Sequence, residues 1–457
     1  MIFINPKFIP EKNSVYLVGG CVRDHLLGRP VSDYDLAVDC DAHVVARHIA
    51  SAAGRRVVVM GEADKRIFRI VTEKETYDVS EIKGADIAAD LWQRDFTINA
   101  MAVNTATKEI IDPTGGRDDL SKKSVRMVLP EAFDTDPLRL LRAFRMAAVL
   151  GFSIDPETLA AITAKSEKIA HSAGERIREE WLKMLESAFS AKLVTLAQQT
   201  GLLYTIFPEI FALKNCSQNK HHRFDALRHT LAVYQSLETM LHENRPDLKP
   251  GARNTDLLTC PGSPVLIKHA ALFHDIGKPS TRSVDGKGDI HFYGHDKKGE
   301  DIIGKINTRI RFSNKENQYT SFLVGNHLRP LFLYMMRERG KLQKKAVTRF
   351  FIKTAPWTPD LLMLAAADSE AKDRLASVKF IKFIKNIASE YVNTYLPASR
   401  QPNLITGRDL IEEFGLKPSP LFSEIIDKIE EMRLAGLLKN RDQALKFISK
   451  KWGQIYF

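Results

Sequence analysis

The stretch LVGGCVRDHLLGRPVSDYDLAV, from Leu17 to Val38, sets two carboxylates, Asp33 and Asp35, in a segment otherwise suited to burial. Alternate residues of a strand share a face, so Asp33 and Asp35 point one way while Tyr34, Leu36 and Val38 point the other. Paired carboxylates on one face repel and lose hydration unless a divalent cation sits between them. Mg2+ suits that place, a hard ion held by one or two carboxylates and completed by substrate phosphates. Just upstream, Gly19 and Gly20 let the backbone approach a ligand closely, and CVRDHLLG starts a helix whose first N–H groups face an anion. Together these features describe a nucleoside-triphosphate site, where metal ions activate a hydroxyl and neutralise the leaving pyrophosphate. Either motif alone is equally a turn followed by an exposed strand.

The chain is long enough for several domains, with 457 residues of which 44% are hydrophobic. Lys and Arg number 67 against 56 Asp and Glu, a net charge of +11 that suits an anionic partner such as nucleic acid. The N-terminus lacks the apolar core of a signal peptide, and no run approaches the ~18 apolar residues of a membrane span. Cys21, Cys40, Cys216 and Cys260 form no C-x-x-C pair. The expectation is a reduced, soluble, cytoplasmic protein without membrane contact.

Up to about Thr107, short β-rich runs (VYLVGG, SDYDLAV, RRVVVM, RIFRIVT, TYDVSEI, MAVNTAT) alternate with helical ones. From Asp134 the pattern is helical almost throughout, with Asp or Ser before many runs and Gly often after them. ENRPDLKPGARNTDLLTCPGSP reads as a loop interrupting the later helices. The expected class is α+β.

The opening signature resembles the active site of the class II tRNA nucleotidyltransferases and bacterial poly(A) polymerases, a polymerase-β-like family. The resemblance continues through QRDFTINAMAV and DPLRLLRAFRMAAVLGFSIDPETLAAI to ERIREEWLKML, in the family's order. It implies a head at 1–130, a helical neck at 131–212, an HD domain at 213–385 and a helical tRNA-binding tail at 386–457. It also implies catalytic metal at Asp33 and Asp35, and triphosphate contacts from Gly19, Gly20 and Arg23. Arg94, Asp95 and Asn99 fall where the family holds the sugar, with Gln93 in place of its first Arg. Asp136 and Arg139, spaced to share a helix face, match the base-selecting pair, and Arg142 one turn on reaches phosphate or base. The family's Glu is Thr135 here. ERIREEWLKML is expected to be a structural brace. Asp78 is either a third carboxylate or, the reading preferred here, an edge-strand Asp in solvent.

A second constellation follows. His229, the adjacent His274 and Asp275, and Asp368 resemble the H…HD…D pattern of HD-type metal phosphohydrolases, with His295 and His327 between them as in two-metal HD sites. Imidazole and carboxylate on neighbouring helices bind a divalent ion and activate its water, with Lys278 placed to meet phosphate. Such a donor set suits Ni2+, Mn2+, Co2+ or Fe2+ as well as Mg2+. Arg408, Lys417, Lys439 and Arg441 of the tail either meet tRNA or form a solvated basic surface.

The implied activity is template-independent addition of all or part of the 3′-terminal CCA of tRNA from CTP, ATP or both. Adenosine addition and poly(A) synthesis are the alternatives. Only eight residues, ADIAADLW, separate TYDVSEIKG from QRDFT, and this short segment resembles the CC-adding branch. An alarmone synthetase-hydrolase also joins these two folds, but with its HD domain first. A non-catalytic RNA-binding protein would be expected to have lost Asp33 or Asp35.

Overall fold

The computed structural model describes residues 4–10, 14–61, 66–217, 225–243, 262–372, 375 and 377–456. Most of the loop expected between Glu243 and Pro264, with Cys260, lies outside them. The chain divides into two compact units between Pro208 and Glu209.

The first unit is built on a seven-stranded sheet ordered β3-β4-β5-β2-β1-β6-β7. Its strands are β1 (Val15–Val18), β2 (Asp33–Val38), β3 (Val57–Met60), β4 (Ile67–Val71), β5 (Thr76–Glu81), β6 (Ala102–Asn104) and β7 (Ile110–Ile111). Only β2 and β5 run parallel; every other neighbouring pair is antiparallel. On β2 the alternation is as the sequence predicts, Tyr34, Leu36 and Val38 buried and Asp33 and Asp35 exposed. Helix α2 (Ala42–Ala53) covers the apolar side, burying Val45, Ala46 and Ile49 against β4 and β5. That leaves the polar side of the same strands open, so one strand both anchors the core and presents the carboxylates.

Asp78 corrects an expectation. Its strand β5 is paired on both sides, with β2 and β4, and is not an edge. The apolar spacing of TYDVSE fits an interior strand as well as an edge strand, and only the pairing separates them.

Beyond the sheet, helix Arg139–Leu150 packs on helix Gly174–Glu186 around the fully buried Leu141, Phe144 and Trp181. The second unit is helical. Helices Ala226–Glu243, Pro264–Phe273, His295–Arg309, Asn314–Asn326 and Thr358–Lys372 pack together in it. At its C-terminal end, Leu410, Ile425, Ile429, Ile448 and Trp452 form a separate small core. Among the described residues, no helix is long and apolar enough to cross a membrane.

Candidate active sites

In the first unit, the parallel register sets Asp35 beside Asp78, and the antiparallel register sets Asp78 beside Arg69. Side chains in register share a face, so a row of carboxylate, carboxylate and guanidinium crosses three strands next to Asp33. Arg69 donates to both oxygens of Asp78, at 2.7 and 2.6 Å. A cavity of about 230 Å³ is lined by Asp33, Tyr34, Asp35, Arg69, Thr76 and Asp78. Desolvation in this recess raises the Asp35 carboxyl to about 6; Asp78 and Asp33 add repulsion, and Arg94 and Arg69 oppose it. Two crowded carboxylates, one resisting ionisation, fit a divalent cation better than they fit each other.

Gly19 closes the other side. It precedes helix α1 (Gly20–Leu26) with φ 75°, a conformation that L side chains rarely adopt. A Cβ there would stand 3.0 Å from Arg94 Nη1 and 3.5 Å from Asp35 Oδ2. Arg94 itself is steadied by Asp90, at 2.9 and 3.1 Å.

Asn99 and Asp95, two of the three residues expected around the sugar, are joined with Arg23 and Arg142 in one chain of polar contacts. Arg23 donates to Asn99 Oδ1 at 2.6 Å, and Asn99 Nδ2 donates to Asp95 Oδ1 at 3.2 Å. Arg142 Nη1 donates to Asp95 Oδ2 at 3.2 Å, and its Nε donates to Glu180 at 3.3 Å. Burial pushes Asp95 up, but Arg142, Asn99 and the Phe96 N–H together hold it below its usual value. Glu180, from ERIREEW, also pairs with Arg145 at 2.5 Å, a brace as the sequence suggests.

The base-selecting pair is arranged differently from the expectation. Asp136 does not share a helix with Arg139: it is extended (φ −144°, ψ 94°) between helices Ala132–Thr135 and Arg139–Leu150. Pro137 explains the break, since a residue before proline is pushed out of helical geometry. Asp136 accepts from Arg176, at 2.9 and 3.3 Å, while Arg139 reaches the Thr135 hydroxyl and the Ala132 and Gln93 carbonyls. Sequence reasoning missed Arg69 and Arg176, because their partners are brought to them by strand and helix pairing.

In the second unit, His229, His274 and Asp368 place ligand atoms within 4.8 Å of one another, and Asp275, His295 and His327 do the same. All six residues are buried. His274, His295 and His327 each point Nδ1 at the carbonyl three residues back, Ala271, Phe292 and Val324, at 2.8, 2.7 and 2.7 Å. Those bonds assign the proton to Nδ1 and turn each Nε2 lone pair inward. His274 Nε2 is buried 3.1 Å from Asp275 Oδ2 without hydrogen-bond geometry. Burial, with His274 and His295 nearby, lowers His327 to about 3, so it stays neutral. Inward lone pairs and an orphaned nitrogen fit divalent metal. Gly277 makes the assembly possible: a Cβ there would run into the His295 carbonyl and come within 2.7 Å of the Gly299 nitrogen. Lys278 lies 2.6 Å from Asp275, and Lys372, which the sequence reading overlooked, 2.8 Å from Asp368.

Of the tail residues, Arg441 is paired with Asp409 and Glu413 at 2.8 and 2.7 Å, and Arg408 with Glu412 at 2.7 Å. Lys417 and Lys439 are exposed.

A sheet carrying a glycine turn and paired carboxylates, followed by helices and a histidine-aspartate cluster, defines a nucleotidyltransferase joined to an HD domain. Family models match in that order: a poly(A) polymerase head domain over 15–126, a probable RNA and SrmB-binding site of polymerase A over 151–214, an HD domain over 226–370, and a putative tRNA nucleotidyltransferase domain 2 over 357–448. A CC-adding tRNA nucleotidyltransferase of Geobacter sulfurreducens is 33% identical over 440 residues, 95% of this chain and 91% of that one. An A-adding tRNA nucleotidyltransferase of Deinococcus radiodurans is 29% identical over 458 residues, 98% of each chain. The fold is shared with a Thermotoga maritima CCA-adding enzyme complexed with tRNA (TM-score 0.66, 19% identity, 97% of this chain and 93% of that one). The chain belongs to the class II tRNA nucleotidyltransferases that carry an HD domain.

Proposed function

We propose that this enzyme adds cytidine residues to the 3′ end of tRNA, extending an immature terminus to CC. The observation that carries this is the segment between β5 and Arg94. Rather than a long flexible loop, it is a six-residue helix, α3 (Ile87–Trp92), whose N-terminus is capped by the Asp86 side chain on Ala89 N at 2.8 Å. The RNA 3′-hydroxyl attacks the α-phosphorus of CTP, and pyrophosphate leaves. Divalent ions held by Asp33 and Asp35 would polarise the attacking hydroxyl and neutralise the leaving group. Gly19, Gly20 and Arg23 serve the triphosphate, and Arg94, Asp95 and Asn99 the sugar. Asp136 and Arg139 read the base edge, with Arg142 beside them on phosphate or base. Arg23 fixes the Asn99 amide, and Arg142 keeps Asp95 ionised as an acceptor.

Adenosine addition is the second reading, favoured by the end-to-end match with the Deinococcus enzyme. Transcripts ending at the discriminator base, at C and at CC, given CTP and ATP singly and together, separate the two. CC addition extends the first two with CTP and leaves the third unextended with ATP. Extension of only the CC transcript, by ATP, would establish the other activity.

The HD centre is assigned as a metal-dependent phosphohydrolase of RNA ends, with His229, His274, Asp275, His295, His327 and Asp368 as ligands. Bound metal would supply an activated water for attack on phosphorus. Lys278, backed by the Phe292 ring at 5.4 Å and paired with Asp275 at 2.6 Å, would meet the phosphate.

A further inference from the structure

Helix Arg329–Glu338 starts two residues after His327 of the HD centre and ends at the rim of a separate cavity. Its inner face is accounted for. Pro330 and Leu333 are buried, and the Tyr334 ring meets Phe380 and Phe383 with centroids 5.2 and 5.4 Å away. Its outer face is not explained by packing. Phe332 is 53% exposed, and Met335 and Met336, three and four residues on, are 40% and 37% exposed. That spacing makes one apolar stripe along the helix. Around it the sequence is basic, with Arg329, Arg337, Arg339, Lys341, Lys344 and Lys345 against Glu338 alone.

At the far end a cavity of about 350 Å³ is lined by residues that include Arg337, Phe383, Asn386 and Glu390, with the Arg337 guanidinium 5.6 Å from the Phe383 ring centre. Glu390 and Asn386 offer an acceptor and an amide to a base edge. Directly after Glu390 the helix loosens into a π-helical turn, Tyr391–Tyr395, an irregularity frequent at functional sites.

We propose that helix Arg329–Glu338 is a docking strip for single-stranded RNA, with the RNA end at the HD centre and an unpaired base in the cavity beyond. Cations following a backbone and aromatic rings taking base faces are the means by which unpaired RNA is held without a template. A protein partner would use the same Phe, Met and Arg side chains, but six cations against Glu338 alone favour a polyanion. The helix spans about 15 Å, so its two ends serve neighbouring parts of one strand. Where the strip delivers its RNA rests on the metal-centre reading; that it binds RNA does not.

The test is affinity of the full-length protein for a short fluorescent single-stranded oligoribonucleotide across a salt series. Phe332→Ala should weaken binding about 10-fold. Arg339→Glu with Lys341→Glu should reduce the slope of log affinity against log salt by about 1.4, two backbone contacts' worth. All three side chains are on the surface, so an unchanged Tm verifies the fold. Unaltered affinity and slope in both variants would overturn the strip. So would a concentration-dependent dimer that Phe332→Ala dissociates while RNA affinity stays the same, because the stripe would then join two copies. Fe2+ loaded at the HD centre, with peroxide and ascorbate, should cleave the bound oligonucleotide near its end. His274→Ala with Asp275→Ala should abolish that cleavage and keep the affinity. Affinity without cleavage in the wild type would remove the HD centre as the destination and leave the strip standing.

Discussion

In the sheet unit, Asp33 and Asp35 stand on an open strand face, whereas in the helical unit Asp275 and Asp368 are buried among four histidines. The first site offers few protein ligands, all oxygen, and much of its local charge is already met by arginine, as at Asp78. A metal there must be completed by substrate phosphate, so it comes and goes with the nucleotide. The second site offers six protein donors, four of them nitrogen, with three imidazoles aligned by backbone carbonyls. Such a donor set would hold metal without substrate. The contrast is between a donor set that needs the substrate to complete it and one that the protein completes by itself.

The largest effect expected is on transfer. Asp35→Ala should lower nucleotide addition at least ~1,000-fold, comparable with loss of a principal electrostatic stabiliser. Its tRNA affinity and its content of tightly held metal should match wild type. Gel-shift and elemental analysis of the same preparation check both; addition surviving in Asp33→Ala and Asp35→Ala alike would dissolve the distinction.

The reciprocal change sharpens it. After dialysis without added metal, wild-type protein should retain transition metal, and His274→Ala with Asp275→Ala should have lost it. Addition with Mg2+ supplied should stay within about 2-fold of wild type, as expected of independent sites with no shared partners. A collapse of addition would make the two centres one coupled system.

A third effect separates burial from metal binding. His269, fully buried beside Asn307, is pushed down to about 4 by desolvation. The unfolded imidazole titrates near 6.5, so between 6.5 and 4 the unfolded chain takes up a proton that the native one refuses. This contribution is complete above pH 6.5 and is lost as pH falls toward 4, up to about 3 kcal/mol. Urea unfolding at several pH values should show the decline, with His269→Gln making it shallower. The decline should persist in the His274→Ala, Asp275→Ala protein; its disappearance there would tie the effect to the metal cluster.

Much of both sites was legible in one dimension. The period of two in SDYDLAV assigns Asp33 and Asp35 to one face, and burial of Tyr34, Leu36 and Val38 follows from it. HDIG and the spaced histidines gave a candidate ligand set, because few other arrangements call for those residue types together, and the fold gathers the six into two groups. The partners of Asp78 and Asp136 were not legible. Asp78 looked like a solvent residue until two strands, one parallel and one antiparallel, closed on its own and brought Arg69 to it. Asp136 looked like Arg139's helical neighbour until Pro137 broke the helix and Arg176, forty residues later, took the carboxylate.

Local periodicity, capping and residue chemistry therefore determined which groups this protein has available, and on which face of which element. They act within a few residues, where backbone geometry is shared by every chain. Which of those groups meet was decided by strand order and helix packing, which join residues far apart in sequence. The row Asp35–Asp78–Arg69, the Asp136–Arg176 pair and the inward Nε2 atoms of the HD centre exist only at that level.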